Sequence, residues 1–144
     1  MQSIFGIPIP YLVLVLEIIV LLALLVGWRY GASRMNFKLH HYAVYSVVLI
    51  HILTVGFWMI PQAIDRLSIM LANPVTFWYQ IVHDIIGILA IALGAILSII
   101  FIVKRGMPLK LLKRARPFMF ITIGVWIIAF LLGVYWFVLS WVLI

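Results

Sequence analysis

Cysteine is absent from this 144-residue sequence, and acidic residues are scarce. Without cysteine, disulfides, thiolate metal sites and thiol redox chemistry are excluded. Charged residues make up 9% of the chain, against about a quarter in soluble domains. Hydrophobic residues make up 68%, which is more than a water-soluble fold of this length can bury. The sequence therefore predicts an integral membrane protein.

Catalytic signatures are also missing. The sequence shows no nucleophile with an adjacent base, no phosphate-binding loop and no zinc-protease motif. The net charge of +7 would suggest nucleic acid for a soluble protein, but in a membrane protein it is typical of basic loops, so no nucleic-acid partner is expected. No basic stretch precedes the first apolar segment, so no cleavable signal peptide is expected. An electron-transfer or accessory subunit is favoured over a stand-alone enzyme.

Four apolar segments are long enough to cross a membrane, whose hydrocarbon core takes about 20 helical residues. In lipid every backbone polar group must be satisfied internally, so each segment is predicted to be a helix. Short connections that contain Gly and Pro predict a single all-α transmembrane domain over 1–144, an antiparallel four-helix bundle with up-down-up-down connectivity. The predicted spans are 8–28, 39–61, 76–103 and 117–142.

Basic residues predict the orientation of these spans. Nine of the ten lie in the first and third connections, and the exception, Arg66, is offset by Asp65 in the second. Because cytoplasmic loops carry the excess of Lys and Arg, the first and third connections are expected in the cytoplasm of a prokaryotic cell. Both termini and the 62–75 loop are then expected outside the cell membrane.

Polar residues recur at one predicted depth. At about 1.5 Å per residue, Glu17, His51 and His83 each lie about 10–15 Å from the outer ends of their spans. Asp84 is one residue deeper, and Tyr135 in the last span lies close to the same level. A central charge costs about 2.5–3.5 kcal/mol on insertion scales, so such residues usually face the protein interior and serve a function. These five residues form the candidate site.

Small residues follow His83 on one helical face. Gly87, Ala90 and Gly94 are spaced at +4, +7 and +11 from it. A face of this kind leaves room for a flat ring such as a porphyrin, so Gly87 and Gly94 are candidates for cofactor clearance. Close packing against another helix explains the same pattern.

Two histidines at equal depth on adjacent helices, His51 and His83, suit three kinds of chemistry. Both imidazoles could hold the iron of a b-type haem between spans two and three. With Glu17 they make two histidines and a carboxylate, a set that suits copper, non-haem iron or zinc. Glu17, His51 and the His83–Asp84 pair could also relay protons.

His40 and His41 open the second span at the predicted cytoplasmic interface, beside Lys38. A second haem would need an inner-side histidine in the third or fourth span, and the sequence has none there. A solvated interfacial pair is therefore expected, with a second binding site as the alternative.

Three stretches together resemble a known family of small four-span membrane proteins. They are KLHHYAV at the start of span two, YQIVHDIIGILAI at the start of span three and LLKRARPFMFITIGVWIIAFLLGVYWFVL through span four. The family is catalogued as domain of unknown function 420 and includes the CtaM-type factors needed for haem–copper oxidase maturation. The similarity covers about residues 36–140.

The resemblance assigns residues one by one. It matches His83 to the family's histidine of span three, and His41 or His40 to that of span two. The chain departs from the family at the outer end of span two, where Ile60 and Pro61 stand in place of a histidine. The basic run before span four also lacks the family's histidine. The resemblance implies transient binding of haem or copper during oxidase assembly.

The residues themselves predict a small membrane subunit that binds a b-type haem through His51 and His83 for respiratory electron transfer. Its partners would be the lipid bilayer and other subunits of a respiratory complex. The alternatives are an oxidase assembly factor that binds haem or copper and a cofactor-free structural subunit of a larger membrane complex. Glu17, Asp84 and Tyr135 are expected as further ligands or proton-relay groups.

Overall fold

A computed structural model describes residues 3–4, 7–34, 36–104 and 109–141 of the chain. Two short antiparallel strands, β1 (Ser3–Ile4) and β2 (Ile7–Pro8), precede the helices. The helical elements are α1 (Ile9–Arg34), α2 (Phe37–Thr54), a π-helical turn (Val55–Met59), α3 (Ile60–Ala72), α4 (Trp78–Val103) and α5 (Leu109–Trp141).

The prediction of an all-α protein with four helical segments long and apolar enough to cross a membrane is confirmed for the described part of the chain. Four helical segments there are long and apolar enough to cross a membrane: Ile9–Gly31, Phe37–Ala72, Trp78–Val103 and Arg114–Trp141. The third begins two residues later than predicted and ends at the predicted residue. The helix that carries the fourth, α5, begins at Leu109 instead of Pro117, because a transmembrane helix tolerates an internal proline.

The first hairpin consists of α1 and α2, which contact each other extensively within the unit Met1–Gln62. Gly27, in the second half of α1, meets Ala43 early in α2, and Glu17, in the first half of α1, meets His51 near the end of α2. The two helices therefore run antiparallel. Asn36 begins α2 by accepting a hydrogen bond from the Leu39 backbone N–H at 3.2 Å, which satisfies one of the free donors of the first turn. The buried aliphatic core of this hairpin is Val20, Leu24, Val47 and Val48.

The second hairpin consists of α4 and α5, which contact each other extensively within the unit Ala63–Ile144. The helices are antiparallel, since Tyr79 near the start of α4 meets Tyr135 near the end of α5. Small residues spaced by four along α4 are buried: Ala90, Gly94 and Ser98. Because α5 is the helix that α4 contacts extensively, this face allows close helix packing.

The predicted loop over 62–75 is wrong for most of its length. Helix α3 continues through Pro61 to Ala72, and the connection shrinks to residues 73–77. The reason lies just before the proline, where the Ile60 backbone N–H donates to the Val55 carbonyl, five residues back. We attribute the continuation to this wide π-turn, which accommodates a residue that lacks an N–H and whose ring crowds the preceding turn.

Gly27→Ala should destabilise the first hairpin. An added Cβ would lie 2.8 Å from the Cβ of Ala43, and because both carbons are fixed to helix backbones, the helices must separate. We expect the free energy of unfolding to fall by about 1–3 kcal/mol, measured by SDS titration in mixed micelles with far-UV circular dichroism. Gly124→Ala is the control, since its Cβ meets no atom within 4 Å. Equal losses in the two variants would contradict the close approach.

Candidate functional site

Glu17 and His51 form a buried pair across the first hairpin. His51 Nδ1 lies 3.1 Å from Glu17 Oε1 and 3.0 Å from Oε2. The Glu17 side chain exposes 12% of its surface and the His51 side chain 8%. The structure thus brings together two of the residues that were predicted to share one depth, and it shows that Glu17 points towards α2.

This pair has a defined chemistry. Moving a carboxylate or an imidazolium from water into an apolar interior costs several kcal/mol per ion, so each partner needs the other. An ionised carboxylate only accepts hydrogen bonds, so the ring donates from Nδ1 and, when neutral, carries its lone pair on Nε2. Metal-ligating histidines commonly have this support, because a carboxylate on one nitrogen fixes the tautomer and raises the basicity of the other.

His83 is supported in a similar way in the second hairpin. Its Nδ1 donates to the backbone carbonyl of Ala129 on α5 at 2.8 Å. Because a carbonyl can only accept, the proton of the neutral ring must be on Nδ1 and the lone pair on Nε2. Gly133, one turn further along α5, gives the ring its space: a Cβ there would lie 2.8 Å from His83 Cε1.

His40 repeats this arrangement in the first hairpin. Its Nδ1 lies 2.9 Å from the Gly27 carbonyl oxygen of α1, and a Cβ at Gly31 would lie 2.9 Å from the His40 ring. The ring of His41 stacks on Tyr45 at 5.5 Å between centroids. His40 and His41 therefore make contacts inside the hairpin in addition to their predicted place at the interface.

The remaining predicted site residues lie in the second unit. Asp84 is partly buried and interacts electrostatically with His83 and Arg66. Tyr135 packs edge-to-face on Tyr79 at 5.5 Å between centroids and is 49% exposed. Asp84 is thus near enough to His83 for an electrostatic interaction, whereas Tyr135 contacts Tyr79.

The glycines predicted to give a cofactor clearance differ in their surroundings. A Cβ at Gly87 would meet no atom within 4 Å, whereas Gly94 is buried. In the described part of the chain, no three His, Asp or Glu side chains form a group that could hold a metal ion. His51 belongs to the first unit and His83 to the second, so a site shared by both rings stays a prediction.

The sequence did not identify the residues of α1 and α5 that accept the histidine hydrogen bonds and leave space for the rings. On α1 and on α5, the carbonyl of one small residue accepts a hydrogen bond from a histidine of the neighbouring helix, and the histidine ring lies against the glycine four residues later. The pairs are Gly27–Gly31 and Ala129–Gly133. A small residue repeated at a spacing of four is a known signal for close helix packing in membranes, and it could have identified these positions. Gln80, a further buried polar residue of α4, was also missed.

The fold and the site together define a small protein with four helices long and apolar enough to cross a membrane, in which three histidines each bond to the opposite helix of a hairpin. Comparison with protein-family models, with curated proteins and with solved structures found no match. The resemblance to the four-span oxidase-maturation family therefore stays a prediction of the sequence.

Replacing Glu17 and His51 together should cost less than the two single changes predict. Glu17→Leu or His51→Leu leaves a buried polar partner unpaired, which costs about 1–3 kcal/mol. The double variant removes both polar groups, and we expect a coupling free energy of about 1–2 kcal/mol. Unfolding in mixed micelles measures all four proteins. Purely additive losses would contradict the buried pair.

Proposed function

We propose that this chain is a small membrane subunit that binds a b-type haem and takes part in respiratory electron transfer. His51 and His83 are the proposed ligating residues. One observation supports the proposal: each of these intramembrane rings has its Nδ1 bonded to an acceptor within its own hairpin. In a neutral ring that bond leaves Nε2 as the coordinating nitrogen.

The donor set fits a b-type haem. Neutral imidazole nitrogens are common axial ligands, and the bound group would supply a one-electron carrier whose potential depends on ligands and burial. Both histidines sit in apolar helices that carry few other polar side chains, and a membrane around such helices would keep water away from the iron. The chain contains no thiol that could compete for the iron.

The two rings would differ in basicity. Glu17 offers His51 a carboxylate, which draws the Nδ1 proton strongly and makes Nε2 the more electron-rich nitrogen. Ala129 offers His83 a neutral carbonyl, which is a weaker acceptor. Glu17 is therefore a positioning residue that acts through His51, and Gly133 holds the same role for His83 by leaving space for its ring.

A topology accompanies this proposal. The two hairpins would form an antiparallel four-helix bundle with both termini outside and the first and third connections in the cytoplasm. The distribution of basic residues supports the orientation, because nine of ten lie in those two connections.

The reduced-minus-oxidised spectrum of the purified protein tests the proposal. We expect a b-type α-band in the parent chain and its loss in His51→Ala and in His83→Ala, since each removes a ligand. His41→Ala should keep the band, and added imidazole should restore part of it in His51→Ala by filling the cavity. Equal bands in His83→Ala and His41→Ala would overturn the assignment.

A matched pair of glycine variants tests the same site without removing a ligand. The Cβ of Gly133→Ala would displace the His83 ring from Ala129, whereas that of Gly124→Ala enters open space on the same helix. Loss of an outer-shell partner typically weakens binding about 10–100-fold, so haem affinity should fall in the first variant alone. Equal affinities would show that the Ala129 bond does not prepare His83.

Other outcomes of these experiments identify the alternatives. Copper without a haem band would favour an assembly factor that binds copper. Transient haem, lost on purification but transferred to an oxidase, would favour the maturation role. Neither signal, together with co-purifying subunits, would favour a structural subunit and would reject the electron-transfer proposal.

A further inference from the structure

We infer that α3 (Ile60–Ala72) is an interfacial helix, and that one apolar stripe on it lies in the boundary between lipid headgroups and acyl chains. The stripe consists of Ile60, Ile64, Leu67 and Leu71. The ligand of this surface is therefore the membrane itself, on the side where α3 connects to α4.

The helical segment that precedes α3 is already long enough to cross a membrane. The segment Phe37–Met59 has 18 residues in α2 and 5 in the π-turn. At 1.5 Å per residue these 23 residues reach about 34 Å, which already exceeds a hydrocarbon core of about 30 Å. The continuous helical segment to Ala72 has 36 residues and would measure about 54 Å if straight. The 13 residues of α3 are thus not needed to cross the membrane.

The apolar and polar residues of α3 lie on different sides of the helix. At 100° per residue the four stripe residues fall within an arc of about 60°. Their side chains are 43%, 65%, 49% and 64% exposed, in chain order. The opposite side of the helix carries Gln62 and the exposed Asp65, about 170° and 130° from the centre of the stripe. Ile69, on the same side, is 55% exposed. A helix with an exposed aliphatic stripe and a separate polar side has the pattern of one that lies in a membrane interface.

One contact relates α3 to the end of α5 within the second unit. Arg66 lies 5.2 Å from the ring centroid of Trp136, which is five residues before the end of α5 at Trp141. Met70, one turn after Arg66, is buried. The Arg66 side chain, from the middle of α3, therefore lies against the last turns of α5.

Aromatic residues mark this level as an interface. Trp78 and Tyr79 begin α4, and Tyr135 and Trp136 lie near the end of α5. Trp and Tyr concentrate where headgroups meet acyl chains. At that depth an exposed aliphatic stripe has lipid beside it, and the opposite-charge neighbours Asp65 and Arg66 give α3 no net charge with which to select a charged protein partner.

The absence of native cysteine allows a clean test with single-cysteine variants of the full chain. Ile64→Cys and Leu71→Cys report on the stripe, and Gln62→Cys and Asp65→Cys are matched controls from the opposite, polar side. Each variant carries a nitroxide label in phosphatidylcholine nanodiscs, which leave both membrane faces open. Power saturation then measures collisions with oxygen, which concentrates in lipid, and with a water-soluble nickel chelate.

We expect the stripe labels to collide mainly with oxygen and the polar-side labels mainly with the chelate. Equal access of the chelate to all four sites would overturn the inference, because α3 would then stand in water. Protection of the stripe labels from both agents would also overturn it and would indicate a protein contact, such as a second copy of the chain. Unchanged helicity by circular dichroism establishes that each variant is folded.

Discussion

A ring N–H that lies in hydrocarbon must find an acceptor inside the protein, because no water is available to replace it. Each hairpin obeys this constraint with histidine hydrogen bonds that cross from one helix to the other. His51 bonds to the Glu17 carboxylate, and His83 bonds to a backbone carbonyl of α5. The buried hydroxyl of Thr122 solves the same problem within its own helix, by bonding to the Phe118 carbonyl. Among the described side chains, the buried Ser98 hydroxyl is an exception to this pattern.

The same constraint explains why small residues stand opposite the histidines. A carbonyl in a helix is already bonded to the N–H four residues later, so a side chain at that later position would screen it. Gly31 and Gly133 carry no such side chain, and the rings of His40 and His83 lie against them. The bond that satisfies the membrane environment also fixes the tautomer, and in a neutral ring it leaves Nε2 with a lone pair. Structural support and the tautomer that the proposed haem ligation needs thus come from one interaction.

Much of the fold was predictable from the sequence, because lipid restricts a spanning segment to a helix and apolar length is easy to read. Equal predicted depth was the one sequence feature that indicated the Glu17–His51 contact. Two polar groups at the same level in lipid are more stable when they bond to each other. The acceptor at Ala129 was not predicted, because every residue has a backbone carbonyl and the sequence does not indicate which one accepts a hydrogen bond. The helical continuation through Pro61 was not foreseen either, since a π-turn leaves no compositional signal and proline usually marks a break. The proposed cofactor site would depend on how the two units meet, which composition and spacing do not specify.

Nitrogen-15 NMR of the histidine side chains, with the labelled protein in lipid bilayers, tests the central claim most directly. The chain has four histidines, and single substitutions assign their signals. The account predicts that, in the cofactor-free protein, Nδ1 of His51 and Nδ1 of His83 each carry the proton that bonds to the opposite helix. An unprotonated Nδ1 on either ring would contradict it, because that nitrogen could not donate to the opposite helix and the lone pair would be on Nδ1 instead of Nε2.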